Sequence, residues 1–192
     1  MRDSERCIAG NHDLGASGRA ALEVFSDDAR SALEWTREAI GRSGQASLER
    51  LSPEDTGGAV PLFHGSPRDP VWEYVLTTEQ ARAALEDRRV ALTLVGHTHV
   101  PFAWRLTTEG DMESPGVPLD GRVDLSEGRW LVNPGAVGQP RDGDARAAWA
   151  LYDPDQGAIE FRRTPYDVAA AQNAILKAGL PPSLAHRLAE GR

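Results

Sequence analysis

Cysteine is almost absent from these 192 residues: Cys7 is the only one. A single thiol cannot build an internal disulfide framework, and it suits a reducing, cytoplasmic compartment. Long apolar runs are missing too. The longest, Val90 to Val95, is interrupted by Thr93 and falls far short of the ~20 residues a membrane span needs. The charged start, Met1-Arg2-Asp3-Ser4-Glu5-Arg6, leads into no apolar stretch of signal-peptide type. Neither a fixed-period repeat nor a low-complexity tract is present. An excess of positive charge is also lacking. The 21 basic and 29 acidic side chains leave a formal charge of −8, which argues against coating nucleic acid by charge alone. What remains, 40% apolar residues over a length typical of one domain, describes a soluble globule spanning 1–192.

Short apolar runs alternate with amphipathic stretches, which is the α/β pattern. Cys7-Ile8-Ala9 ends a first run, in which Cys7 reads as a small buried hydrophobe. Ser26 is a helix N-cap with Asp27 and Asp28 behind it, and Gly41 is the expected stop. Val60 to Phe63 is a second run. Thr77-Thr78-Glu79-Gln80 is a capping box opening a helix to about Asp87, after which Arg88-Arg89 reads as a solvated end. Val90 to Val95 is apolar on both parities, as a strand covered on both faces should be. Further strands are expected at Phe102 to Leu106, Trp130 to Val132, Ala147 to Tyr152 and Ile159 to Arg163. The polar stretch from Thr107 to Arg129 reads as a surface excursion with room for a hairpin. Two helices close the chain, one capped by Asp167 and ending at Gly179, the other starting near Ser183 after Pro181-Pro182. The five tryptophans, Trp35, Trp72, Trp104, Trp130 and Trp149, are scattered, and packing is their default role; Trp72 also has a base-stacking reading.

Polar residues cluster where these runs end. Gly10-Asn11-His12-Asp13 follows the first, His64-Gly65-Ser66 the second, Gly96-His97-Thr98-His99 the doubly covered strand, and Asn133-Pro134-Gly135 follows Trp130-Leu131-Val132. In open α/β sheets ligands bind beyond the carboxyl ends of the strands. Parallel strands would therefore bring four of the five histidines to one edge, leaving His186, on a closing helix, as a surface or satisfied core residue. Imidazole and amide oxygen suit Mn, Fe, Zn, Co or Ni better than calcium. Two such ions about 3.5–4 Å apart clamp the attacking and leaving oxygens of displacement at phosphorus. His12 beside Asp13 reads as a general acid or phosphate-contacting imidazole with a carboxylate orienter.

Gly-Asn-His-Asp, His-Gly, Gly-His-Thr-His and Asn-Pro-Gly, in that order from about residue 5 to residue 165, resemble the motifs of the calcineurin-like metallophosphoesterases. The closer resemblance is to their small bacterial branch, which includes phosphodiesterases and dinucleoside-polyphosphate phosphatases. It implies a four-layer α/β/β/α sandwich of mixed sheets and hydrolysis of phosphate mono- or diesters at a bimetal site, manganese being the leading metal. Residue by residue, Asn11, His64 and His97 would bind one metal and His99 the other. His12 would act at the scissile phosphate with Asp13 tuning it, and Arg141 would reach an anionic substrate. That substrate would be a small phosphorylated molecule such as a nucleotide.

The family pattern opens with Asp-x-His and then Gly-Asp, which this sequence lacks, so three metal ligands have no counterpart. Asp111, Asp120 and Asp124 lie in the polar excursion and do not follow apolar runs. The expectation is a domain lacking its first strands, with a start codon assigned too far downstream or a fragment as the cause. Such a chain would hold one ion or none, turn over poorly, and self-associate through an exposed sheet edge. The alternative function is a non-catalytic interaction module on the same fold. A DNA-repair nuclease fits worse, because no basic stripe is present.

Overall fold

The computed structural model describes residues 6–117 and 121–192; the charged stretch before Arg6 and the position of Asp120 lie outside the described residues. Its elements are α1 (Asn11–Ala16), a 3-10 turn (Leu22–Val24), α2 (Asp27–Glu49), β1 (Glu54–Asp55), β2 (Leu62–Phe63), α3 (Thr78–Asp87), β3 (Leu92–Val95), β4 (Phe102–Leu106), β5 (Met112–Glu113), β6 (Arg122–Asp124), β7 (Arg129–Asn133), β8 (Ala147–Asp153), β9 (Ala158–Thr164), α4 (Val168–Lys177) and α5 (Pro182–Glu190).

Capping chemistry sets the helix starts where the sequence placed them. Ser26 Oγ accepts from Ala29 N–H, Thr77 and Gln80 close a reciprocal capping box, and Asp167 accepts from Ala170 N–H. Gly41 ends the first helical segment as expected, at φ 58° and ψ −174°, and a second segment follows directly, so that α2 is two helices joined at a kink and runs to Glu49. Gln45 Nε2 in the second segment donates to the Arg37 carbonyl across this break, so the kink is held by a polar contact as well as by glycine's tolerance of positive φ.

The strands form two sheets. The first has the order β1-β2-β3-β7-β4-β5, with β2, β3 and β7 mutually parallel; the second is antiparallel, in the order β6-β9-β8. Ala81, Ala84 and Leu85 of α3 pack on Phe63, Val95 and Leu131. On the opposite face Leu92, Ala103, Trp130 and Val132 meet Val123, Ile159 and Phe161 of the second sheet. β3 and β7 are thus buried on both faces, which is why their sequences carry no apolar/polar alternation. The result is a mixed α/β sandwich of two packed sheets flanked by helices. A separate apolar cluster joins Ala16, Phe25 and Leu33 beneath α1 and α2.

Several expectations are corrected. Cys7 is exposed, and its segment forms no strand; Ala9 N–H donates to the Ser52 carbonyl at 2.7 Å. The excursion from Thr107 is not all loop, since it supplies edge strands to both sheets, β5 and β6. Arg88 is not merely solvated: its guanidinium lies over the Phe63 ring. Trp130 is buried, but Trp35, Trp72 and Trp149 are exposed. The first sheet ends on two-residue strands, β1 and β5, and Arg6 clamps the former through Asp55 and the Val60 carbonyl. Short edges carrying Glu54, Asp55 and Glu113 are poor templates for pairing with another chain.

Candidate functional site

The parallel strands β2, β3 and β7 deliver their carboxyl-terminal residues to one edge, and α1 brings Gly10-Asn11-His12-Asp13 to the same place. His64 Nε2 lies 3.1 Å from Asn11 Oδ1 and 2.9 Å from His97 Nδ1. Asn11 and His97 are buried and His64 is half-buried. The backbone makes room for this approach. A Cβ on Gly10 would stand 2.9 Å from His64 Cε1, so only glycine lets the imidazole lie flat against the turn into α1.

His97 and His99 both adopt left-handed backbone, φ 62° and φ 59°. For residues other than glycine this conformation costs on the order of 1 kcal/mol or more and persists only where neighbours enforce it. Asn133, fully buried at the end of β7, supplies that enforcement. Its Nδ2 donates to the Gly96 carbonyl at 2.7 Å and to Thr98 Oγ1 at 2.9 Å, while its Oδ1 accepts from Gly135 N–H. Asn-Pro-Gly was legible as a motif, but nothing in the sequence said that it braces the histidine turn. His99 Nδ1 pairs with the Gln139 carbonyl at 2.7 Å, which leaves its Nε2 as the free donor atom. Arg141 N–H donates to the His99 carbonyl, and the Arg141 guanidinium is held by Gln139 Oε1.

His12 and Asp13 part company with the expected pairing. The Asp13 carboxylate accepts from Gly10 N–H at 2.7 Å, closing the first turn of α1. It acts on His12 through charge alone, and His12 remains exposed with its ring edge-on to Phe25.

Electrostatics favour neutral imidazole throughout. Displacement of water pushes His64 down to about 3, with the charges of His97, His99 and His12 adding to it. His97 is pushed down to about 4, first by burial and then by His99 and Arg141. Burial, followed by Arg141, also lowers His99, and the same two causes lower His12, whose ring loses part of its water to neighbouring groups although the residue is open to solvent. Neutral imidazole is the metal-binding form.

The arrangement fits one divalent ion. His64 Nε2 lies within 3.1 Å of Asn11 Oδ1 and 2.9 Å of His97 Nδ1, spacings close to the roughly 3.0 Å between neighbouring ligands at right angles on an ion with bonds of about 2.1 Å. One imidazole N–H cannot satisfy both of its neighbours as well as a cation could. Buried His97 Nε2, the ring nitrogen not among these donors, has the Trp72 backbone near it but no hydrogen bond of good geometry among the described residues. The donor set contains an amide in place of a carboxylate, and among the described residues no three His, Cys, Asp or Glu side chains converge as a metal site.

Comparison with known proteins identifies the family and the fold. The sequence profile of the calcineurin-like phosphoesterase superfamily domain matches residues 4–157. The chain is 33% identical, over 96% of its length and 75% of the relative's, to the uncharacterized protein MJ0912 of Methanocaldococcus jannaschii. It is similar in structure to a metallophosphoesterase from Sphaerobacter thermophilus, with a TM-score of 0.82 and 39% identity over 96% of this chain and 76% of the other. Hypothetical protein PH1004 from Pyrococcus horikoshii shares the fold, with a TM-score of 0.79 at 20% identity over 100% of this chain and 75% of the other.

Proposed function

Since the chain belongs to the calcineurin-like phosphoesterase superfamily, whose members are metal-dependent phosphoester hydrolases, we propose that its histidine cluster is a metal-assisted site for cleaving phosphate mono- or diesters. The observation that carries the reading is the convergence of Asn11 Oδ1, His64 Nε2 and His97 Nδ1. These three would hold one divalent transition metal, with manganese, iron, zinc, cobalt and nickel all compatible with nitrogen and amide-oxygen donors. His99 Nε2 is the donor available to a second ion, whose remaining ligands the described residues do not supply. When bound, such an ion supplies Lewis-acid stabilisation of charge on the phosphoryl oxygens.

The chain's own residues do the rest. Arg141, fixed at its backbone by His99 and at its guanidinium by Gln139, offers charge to the phosphate. His12 is neutral before substrate arrives. An anionic phosphate beside it favours the imidazolium, so the ring can take up a proton and pass it to the leaving oxygen. Asp13 works in the same direction, opposing the effect of Arg141 on His12. Membrane attachment is not part of the proposal: among the described residues no helix is long and apolar enough to cross a membrane. The single cysteine keeps a reducing, cytoplasmic setting within it.

The test is turnover of simple phosphoesters with added manganese, comparing the unaltered chain with His12→Ala. The proposal expects metal-dependent hydrolysis that falls by about 10²–10⁴-fold in the variant, with metal binding retained. Hydrolysis that ignores both the metal and His12 would overturn it. The interaction-module reading draws on one observation, the exposure of Trp149 and Leu151 on the outer face of the second sheet; binding of metal without any turnover would favour it. Self-association through the first sheet has little to draw on, given edge strands of two residues.

A further inference from the structure

The loop leaving His64 is built more rigidly than a connection to α3 requires. Gly65 N–H donates to the Pro70 carbonyl at 2.8 Å, and Ser66 N–H to the Asp69 carbonyl at 2.9 Å. Ser66 is fully buried; its Oγ donates to the Glu73 carboxylate and accepts from the N–H groups of Arg68 and Asp69. Asp69 Oδ1 in turn accepts from Val71 and Trp72 N–H, each at 3.0 Å. A Cβ on Gly65 would come within 2.5 Å of the Asp69 carbonyl, so the turn is closed against its own backbone.

This scaffold presents a row of large apolar side chains to solvent. Trp72, Tyr74 and Leu76 are 40%, 39% and 64% exposed, whereas Val75 between them is buried and Glu73 turns back to Ser66 and Arg68. Two of the three outward side chains are aromatic, and it is their exposure that needs explaining. The row is continuous with the histidines. Tyr74 lies against the His97 ring at 3.8 Å between centroids. Trp72 meets Phe25 edge-on at 5.5 Å, and Phe25 meets His12 at 5.3 Å. An apolar surface that borders a polar cluster is what a mixed ligand requires, one part charged and one part flat.

We propose that Trp72 and Tyr74 form a stacking subsite for an aromatic group joined to the phosphate that the histidines receive, so that the substrate is an aromatic phosphoester, with a nucleobase or an aryl group lying on the Trp72–Tyr74 surface. The proposal rests on the phosphoester reading of the histidine cluster. Its physical basis is that the aromatic faces are already exposed and their backbone is already fixed, so stacking costs little ordering of the protein. Tyr74 ties the two halves together, since the ring that would support the aromatic group also rests on a metal-donor imidazole.

The experiment uses the full chain with manganese and three substrates: AMP, phenyl phosphate and glycerol 2-phosphate, each also as its methyl diester. The readout is the ratio of kcat/KM for an aromatic ester over the glycerol ester, in the unaltered chain, in Trp72→Ala and in Trp72→Phe. The expected result is a ratio that falls about five- to 100-fold in Trp72→Ala and recovers largely in Trp72→Phe, which keeps an aromatic face. Recovery by phenylalanine excludes a merely folding-related loss. A fall for AMP alone identifies a nucleobase site, and a fall for both aromatic esters identifies a general aryl site. An unchanged ratio overturns the subsite while leaving the hydrolase reading intact. If no ester is hydrolysed, calorimetric binding of AMP decides: affinity that Trp72→Ala weakens at least fivefold sustains the subsite without the catalytic reading, and absence of such binding overturns it.

Discussion

His64 Nε2 stands 2.9 Å from His97 Nδ1, and the two imidazoles come from parallel neighbouring strands, β2 and β3, whose ends point the same way. Two buried or half-buried rings at that distance cannot both be protonated, and each is more useful neutral. The juxtaposition has consequences for metal affinity, for acid stability and for the glycine and asparagine that maintain it.

Divalent ions should stabilise the folded chain through these rings. A ligand that binds only the folded state at about 100 times its Kd adds roughly 2.7 kcal/mol, which for a chain of this size is a rise in Tm of about 5–10 °C. Thermal melts with and without manganese measure it. His64→Ala removes the donor that faces both partners, and the metal-induced shift should vanish in that variant. A shift of equal size in both proteins would place the ion elsewhere.

Acid should loosen the metal-free protein well before its carboxylates protonate. The ordinary histidine value is near 6.5, and in the fold His64 is pushed down to about 3 and His97 to about 4. Folded-state values below the unfolded ones mean that the unfolded chain binds more protons between them. The contribution is therefore complete above pH 6.5 and is lost as pH falls toward 4 and then 3. Allowing for partial exposure, the loss from pH 7 to pH 5 is about 1–2 kcal/mol. Urea midpoints in EDTA at the two pH values should show it, and His64→Gln should flatten the dependence.

Gly10→Ala tests the close approach of the turn to His64. The added methyl would stand 2.9 Å from His64 Cε1 and 3.1 Å from His64 Nδ1. One of the two must move, at a cost of about 1–3 kcal/mol. Displacement of the ring breaks the spacing to Asn11 Oδ1, so metal affinity should fall together with stability. The comparison with Ser17→Ala, also near α1 but directed at the Asp13 and Leu14 carbonyls, separates the two effects: that variant should lose stability while keeping its metal response.

Much of this was legible before any coordinates. The glycine-flanked histidines after apolar runs put His64 and His97 side by side because parallel strands send their ends one way, whereas Asn11 reaches them from the start of α1 and not from a strand end. Thr77 and Gln80 marked the start of α3 because a capping box is a local device. What escaped was non-local or cancelled by neighbours. Gly41 reads as a stop and does end one helical segment, but the second segment that follows it directly depends on packing half-buried Leu48 against Phe25 and Leu33, contacts remote in sequence. Asp13 beside His12 reads as a carboxylate orienting an imidazole, yet an acidic residue at the third helical position finds the Gly10 N–H first. Tyr74 carried no signal of its own, since only the closed turn between Gly65 and Glu73 brings its ring to His97.

Asn133 is the residue whose loss should be most informative. It is fully buried and satisfies the Gly96 carbonyl and Thr98 Oγ1 with one amide nitrogen, at 2.7 and 2.9 Å. Both partners flank His97, which sits with His99 in left-handed backbone that carries a standing cost. Asn133→Ala leaves buried acceptors unpaired, a loss of about 1–3 kcal/mol, and it also removes the restraint that makes the strained turn the lowest-energy arrangement. The turn can then relax toward ordinary φ, which rotates His97 Nδ1 away from His64 Nε2. A folded protein with a lower Tm and a metal affinity reduced by more than Leu131→Ala reduces it is the expected outcome, because Leu131 is equally buried in the same strand but touches only the core. Equal metal affinity in the two variants would mean that the histidine turn holds its shape without the asparagine.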